Sequence, residues 1–230
     1  MSDKCFITGA DHNFQDMVIW WANNIRKYDK ETDIVVYDFG MSKEWIERIC
    51  KSGLISKMIR FGPRKEGKPQ CCWFKKPRAM RKAPYEYKCW IDVDCEVLAN
   101  ITEIFDYVDG TNMALTNDPC RTRERGDPNP KWFATGVNVV KGDPKILKIW
   151  DKWCLPGDHG INVQKYRGDQ EVLHVLLSTG TLHESVVEMP MDYQWLRIQL
   201  ARGEDNINKK IIHWTGPAGK AHIRNNLMYK

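Results

Sequence analysis

Two aspartates separated by one residue close an apolar run in Lys88-Cys-Trp-Ile-Asp92-Val-Asp94-Cys-Glu-Val-Leu98. In an extended strand both carboxylates fall on one side of the chain, about 6.5–7 Å apart along it. Two such groups at the carboxyl end of a strand can converge on one hard cation. Oxygen ligands of this kind suit Mn²⁺ or Mg²⁺, which keep open positions for phosphate oxygens. An ion held there would stabilise negative charge gathering on a leaving diphosphate without any proton transfer. By itself the pair also has a plainer reading, because acidic residues at strand ends often cap a helix or face solvent.

A second stretch carries complementary chemistry. Ile211-Ile-His213-Trp-Thr-Gly216-Pro-Ala-Gly-Lys220 sets an imidazole after an apolar strand, followed by a glycine-rich turn and a lysine. The imidazole can serve as a further protein ligand, and the lysine can reach a diphosphate. In isolation, His213 reads more readily as a core histidine satisfied by one backbone bond, and it is the company of Asp92, Asp94 and the Gly-Lys turn that favours a ligand. Lys76 and Arg78 stand at an expected helix start, where a cation gains nothing from the helix dipole. They either serve an anionic ligand or form a solvated basic turn. Asp169 opens another expected helix, where a carboxylate is electrostatically favoured with no catalytic purpose at all. Tyr193 and Trp195 follow Pro190 in an irregular stretch and are candidates for stacking on the apolar face of a sugar, or for simple loop packing. Trp20, Trp45 and Trp150 fall at amphipathic helix positions and read as core. His12, His159, His174, His183 and His222 have no spacing that demands a role.

The elements that must position these residues alternate between two periods, the pattern of βαβ units building a mostly parallel sheet. Strands are expected at Cys5–Thr8, Ile34–Tyr37, Lys57–Arg60, Lys88–Ile91 and Met113–Thr116. Helices are expected at Asn13–Tyr28, Ser42–Ser52, Lys76–Ala83, Lys145–Trp153 and Asp169–Ser178, with a loop from Leu155 to Gly160. Ser42 suits an N-cap, with Trp45, Ile46, Ile49 and Cys50 on one face, and Gly53 stands where a helix end tolerates positive φ. Asp118–Lys131 packs three prolines, a glycine and three arginines into a segment of little apolar content. That composition predicts an exposed, mobile loop able to act as a lid or acceptor loop.

Taken in order, these pieces resemble the GT-A glycosyltransferases, and most closely glycosyltransferase family 8, the type of glycogenin and the bacterial galactosyltransferases. The resemblance rests on Thr8-Gly9-Ala10-Asp11 after the first strand and on Lys76, sixteen residues before Asp92. It continues through Asp92-Val93-Asp94 with the downstream run from Val97 to Phe105, and Phe133-Ala-Thr135-Gly136-Val-Asn138-Val. It ends on Gly168-Asp169-Gln170 and the segment from Ile211 to Lys220. Two positions depart from the family pattern: Ala134 stands for an asparagine, and Ala221-His222 follow Lys220 in place of Pro-Trp.

The resemblance implies a metal-dependent transferase that moves a sugar from a nucleotide-sugar, by family analogy a UDP-sugar, to a hydroxyl of a glycan or glycoconjugate. It implies Asp92, Asp94 and His213 around Mn²⁺ or Mg²⁺, and Thr8, Gly9, Ala10 and Asp11 at the nucleoside. Lys76, Arg78, Val93, Thr135, Gly136, Gly216 and Lys220 would complete the donor site. Asp169 and Gln170 would act beside the donor sugar, and Tyr193 and Trp195 at the acceptor. The expected architecture is α/β: a single GT-A domain with a Rossmann-like, mostly parallel central sheet flanked by helices. Residues 1–116 would form the nucleotide-binding half and residues 117–230 a smaller acceptor-facing part.

Composition agrees with this class and argues against others. The chain of 230 residues is 42% hydrophobic, enough for a sizeable core, and has no leader or apolar run approaching the ~18 residues that span a membrane. Its charge of +5 is scattered and interrupted by acidic neighbours, as in Arg121-Thr-Arg-Glu-Arg125, which argues against nucleic acid as a partner. The eight cysteines include no C-x-x-C pair and read as reduced thiols, consistent with a soluble, cytoplasmic protein. Two alternatives share some of these features. Aspartate-nucleophile phosphatases also carry a D-x-D, though normally on the first strand of the domain, whereas about ninety residues precede it here. A non-catalytic sugar-binding module would explain the aromatics but not the Asp/Asp/His set.

Overall fold

A computed structural model describes residues 3–61, 72–125, 131–154, 168–180 and 182–229. The expected loop 155–160 lies outside the described residues. The chain runs through β1 (Lys4–Ala10), α1 (Met17–Arg26), β2 (Asp33–Asp38), α2 (Lys43–Lys51), β3 (Lys57–Arg60), α3 (Lys76–Lys82), β4 (Tyr87–Ile91) and β5 (Cys95–Val97). There follow β6 (Met113–Asn117), α4 (Pro119–Arg125), β7 (Phe133–Lys141), α5 (Lys145–Cys154), α6 (Asp169–Ser178) and β8 (Val186–Met189). The described chain ends with β9 (Trp195–Leu196), α7 (Arg197–Ala201), β10 (Ile211–His213) and α8 (Gly216–His222).

Local signals account for most of these boundaries. Ser42 caps α2 by accepting the Trp45 amide through its hydroxyl, and Gly53 beyond the helix has φ +70°. Ile49 is the buried residue of that helix, while Cys50 is exposed and lies off the expected apolar face. The start of α1 is later than Asn13, because the Asp11 carboxylate accepts the Asn13 amide in an Asx turn that occupies the backbone before the helix. Trp20 and Trp150 are buried as expected, whereas Trp45 is only partly covered and lies beneath Arg48.

The main sheet has the order β3-β2-β1-β4-β7-β6-β8. Its neighbours run parallel except β7, which is antiparallel to both β4 and β6. The sheet is therefore mostly parallel, with its two faces buried under separate apolar clusters. Alternation along β1 sends Phe6 and Ala10 to the side of α1 and α2, and Cys5 and Ile7 to the side of α3, α5 and α6. From β1 the chain moves outward to β2 and β3, whereas β4 lies on the opposite side of β1. That reversal opens a crevice at the carboxyl ends of β1 and β4, the usual ligand position in open α/β sheets.

A small second sheet, β5-β10-β9, stands at the mouth of that crevice, with β10 antiparallel to β5. In place of the expected loop over residues 118–131 the chain forms helix α4 across Pro119–Arg125, and residues 126–130 lie outside the described residues. The Asp118 carboxylate accepts the Arg121 amide, and Pro119, which has no amide to leave unpaired, opens the helix. Cys120 is buried, so this segment is anchored at its start.

Candidate active site

Asp92 and Asp94 sit where β4 leaves the main sheet and β5 enters the small one. They do not remain extended: the Cys95 amide donates to the Asp92 carbonyl at 2.9 Å, closing a turn around Val93. The turn is tied to the main sheet by the Asp92 amide, which donates to the Gly136 carbonyl at 2.7 Å. It is tied to the small sheet by the Trp214 amide, which donates to the Asp94 carbonyl at 3.0 Å. Cys95 and His213 are direct partners across β5 and β10, so this pairing carries the imidazole to the aspartates. Its Nε2 lies 3.3 Å from Asp94 Oδ1 and 3.9 Å from Asp92 Oδ2.

The ring of His213 is held from behind. Gln194 is buried between the sheets; its Oε1 accepts the Val137 amide at 2.7 Å, and its Nε2 stands 3.0 Å from His213 Nδ1. Gly136 leaves the space this requires, since a Cβ there would lie 2.5 Å from Nδ1 and 2.8 Å from the Gln194 amide nitrogen. A break in register between β6 and β7 pushes residues 135–137 out of the pairing and toward the site: Leu115 pairs with Asn138, but Thr116 pairs with Ala134.

Two ammonium groups neutralise the carboxylates. Lys76 is almost wholly buried, 3.1 Å from Asp92 Oδ1, 3.1 Å from Asp169 Oδ2 and donating to the Thr135 carbonyl at 2.8 Å. Burial opposes its charge, but Asp169 and Asp92 outweigh burial and raise its pKa. Lys220 Nζ lies 2.5 Å from Asp94 Oδ2. Burial alone would raise the Asp94 carboxyl, yet His213 and Lys220 together hold it below the usual carboxylate range. Conversely, burial disfavours charge on His213, and Asp94 beside it more than compensates, raising the imidazole. Asp169 is pushed upward by burial, with Lys76 opposing the shift.

Asp92, Asp94, Asp169, His213 and Lys220 line a cavity of about 480 Å³ that also takes in Gly9, Phe14, Phe39, Trp73, Trp90, Val93, Thr135, Gly136, Gln170 and Gly216. Gly9 is required by close approach: a Cβ there would come within 2.3 Å of the Phe39 ring, which stacks on Trp90. Trp90 in turn donates its Nε1 hydrogen to Asp92 Oδ1 at 2.6 Å. Gln170 donates to Asp118 Oδ2 at 2.8 Å, so the carboxylate that caps α4 also orients this amide.

The structure thus brings together Gly9, Asp92, Val93, Asp94, Thr135, Gly136, Asp169, Gln170, His213, Gly216 and Lys220. Other expected site residues lie elsewhere. Thr8 and Ala10 flank Gly9 on the strand and are fully buried, because the alternation that opens Gly9 to the cavity turns its neighbours into the core. Asp11 serves the turn before α1. Lys76 does not line the cavity but supports it from beneath as an internal ion pair. Arg78 faces away, 3.0 Å from the buried Asp151 of α5, which also takes Arg81; it clamps α3 to α5. Tyr193 is a core residue donating to Glu103, and Trp195 donates to the Glu204 carbonyl; neither reaches the cavity. Gln194, between them, is the residue the site uses. It carries no sequence signature, and neither do Phe14 and Trp73.

Cys95 Sγ also lies within 4.8 Å of ligand atoms of Asp94 and His213. Burial pushes its thiol well above the ordinary range, so it stays neutral and suits a hard ion poorly. By donor chemistry Asp92, an oxygen ligand 3.9 Å from His213 Nε2, suits a hard divalent ion better, although it stands outside the group of ligand atoms that lie within 4.8 Å of one another. Adjacent ligands of an octahedral ion with bonds of about 2.1 Å are about 3.0 Å apart, close to the 3.3 and 3.9 Å observed.

No family model and no curated protein matches this sequence. Solved structures do match it in fold. A galactosyltransferase, LgtC, in complex with donor and acceptor sugar analogues, superposes with a TM-score of 0.67 at 18% identity, covering 93% of this chain and 88% of that one. The glycosyltransferase GlyE of Streptococcus pneumoniae TIGR4, in its apo form, gives 0.64 at 12% identity over 94% of this chain and 55% of that one. The bifunctional glycosyltransferase WbbM, in its apo structure, gives 0.60 at 15% identity over 93% of this chain and 46% of that one. The mostly parallel sheet, the small sheet at its carboxyl edge and the cavity between them make this the GT-A glycosyltransferase fold.

Proposed function

We propose that this chain is a metal-dependent glycosyltransferase that moves a sugar from a nucleotide-sugar, preferably a UDP-sugar, to a hydroxyl group of a glycan or glycoconjugate, working as a soluble cytoplasmic protein. The observation that carries this reading is the convergence of Asp92, Asp94 and His213 on one wall of a cavity in the GT-A fold, with Lys220 beside them. Among the described residues no helix is long and apolar enough to cross a membrane.

Asp92, Asp94 and His213 would hold Mn²⁺ or Mg²⁺, and the ion would supply positive charge to the diphosphate as it leaves. The chain's own residues do the rest. Lys220 and the Gly216 turn receive the diphosphate, Phe14 and Gly9 border the space for the nucleoside, and Thr135, Gly136, Asp169 and Gln170 face the donor sugar. Asp169, whose charge is balanced by Lys76, holds sugar hydroxyls or stabilises positive charge developing at the anomeric carbon. Asp118 orients the Gln170 amide for the same centre.

Trp73 is the residue suited to an acceptor sugar. Its neighbours Phe74, Lys75 and Lys76 are buried, while Trp73 is 40% exposed on the cavity wall near Gly168. An amphipathic ring at such a place offers an apolar platform to a sugar. Trp73→Ala is expected to raise KM for the acceptor about 3- to 10-fold, as loss of one stacking contact would. KM for the donor should stay unchanged; a matching rise in both would assign Trp73 to the donor.

Thermal-shift measurements with UDP-, GDP- and dTDP-sugars, with and without Mn²⁺, test the donor. The largest stabilisation is expected from a UDP-sugar with Mn²⁺, and a clear preference for GDP would count against uridine. Chelation by EDTA should stop transfer and Mn²⁺ restore it. Release of phosphate from simple esters would mark a phosphohydrolase instead, and neither activity a sugar-binding module.

A further inference from the structure

We propose that Lys220 and the divalent ion compete for Asp94, so that the ion binds well only when a nucleotide diphosphate gives the ammonium another partner. This rests on the metal-dependent reading above and concerns how that site is loaded.

Both oxygens of Asp94 are engaged by the chain itself. Oδ1 faces His213 Nε2 at 3.3 Å, and Oδ2 receives Lys220 Nζ at 2.5 Å, a short charge-assisted contact. The carboxylate is nearly buried, so water does little to screen a second cation brought to it. An ion at Asp94 and the ammonium at the same group therefore repel each other strongly, and one must yield.

Of the two lysines paired with the aspartates among the described residues, Lys220 is the one built to move. Lys76 has three acceptors around one ammonium and almost no exposure. Lys220 has Asp94 as its charged partner, is about a quarter exposed, and lines the cavity. Its ammonium also lies 5.4 Å from the ring of Phe14, another cavity residue, so a swing away from Asp94 keeps it inside the cavity. Gly216 and Pro217, at the start of the helix bearing Lys220, line the same space, where a diphosphate would accept the ammonium.

The consequence is a coupling between ion and nucleotide beyond any direct contact of the two, and coupling of this kind is reciprocal. Removing the ammonium should act with opposite signs on the two ligands. Lys220→Met should bind Mn²⁺ alone about tenfold tighter than wild type, the effect expected of one nearby like charge. The same variant should bind UDP more weakly at saturating Mn²⁺. Lys220→Gln, a second neutral replacement, should repeat both changes, and Lys220→Arg, which keeps the charge, should leave Mn²⁺ affinity near the wild-type value. Calorimetric or electron-paramagnetic titration of Mn²⁺ without nucleotide reads the decisive quantity, with circular dichroism confirming that each variant is folded. Unchanged or weaker Mn²⁺ binding by both neutral variants would overturn the competition while leaving the metal site standing. Tighter binding by Lys220→Arg would also overturn it, because the lysine stem and not its charge would then be responsible. Failure of wild type to bind Mn²⁺ with or without UDP would remove the metal reading and this inference together.

Discussion

Asp94→Ala is expected to abolish Mn²⁺-dependent binding of the donor and to lower turnover by about 10³-fold or more, the scale of losing a group that stabilises charge on a leaving diphosphate. The side chain is the point at which His213 and Lys220 meet, and Asp92 sits across the same turn. The turn itself does not depend on that carboxylate. Its backbone bonds, from the Cys95 amide to Asp92 and from the Trp214 amide to Asp94, use carbonyl oxygens that alanine retains. The variant should therefore fold and keep the pairing of β5 with β10. Calorimetric titration of a UDP-sugar in the presence of Mn²⁺ checks the prediction, and unchanged affinity would remove the proposed metal site.

Lys76→Met should destabilise the protein by about 3–5 kcal/mol, the usual cost of removing one partner of a buried ion pair. Methionine preserves most of the apolar stem, so the loss reports charge and not volume. Without the ammonium, Asp169 and Asp92 face each other across a site that gives Asp169 almost no access to water. The Thr135 carbonyl loses its donor as well. Against a typical domain stability of about 5–15 kcal/mol this is a large fraction. Urea unfolding should show a lower midpoint at unchanged slope. Adding Asp169→Asn should return part of the stability, because it removes one of the two orphaned charges. A loss below about 1 kcal/mol would mean that water or a relaxed side chain solvates the two carboxylates, contrary to the burial seen for Lys76.

Several parts of the site were legible without coordinates because their signals are local. The apolar run ending at Asp92 announces a strand with carboxylates at its end, and the Ser42 cap and Gly53 bracket a helix. Other parts misled for reasons that can be named. Composition made 118–131 read as a loop, although Asp118-Pro119 is itself a helix start. Tyr193 and Trp195 stand out in the sequence as aromatics, yet the side chain that reaches the His213 ring is the amide between them, whose contacts depend on Val137 and His213 approaching from separate strands. Arg78 looked available for an anionic ligand because its true partner, Asp151, lies 73 positions further along the chain.

What the amino-acid sequence determined by itself was the inventory: which residues could ligate an ion, roughly where five of the strands and five of the helices lie, and that a glycine suits the end of α2. Those properties follow from backbone sterics, hydrophobic period and side-chain chemistry within a few residues. Only the tertiary structure decided which of those groups meet. The order of strands set β1 beside β4, with Ile7 opposite Trp90 and both Gly9 and Trp90 on the cavity, and the pairing of β5 with β10 carried His213 to Asp94 across more than a hundred residues. The same packing buried Lys76 between two carboxylates and left Lys220 at the cavity wall. Burial and long-range proximity are properties of the whole packed chain, and they, more than residue type, separate a fixed internal cation from one that can answer a ligand.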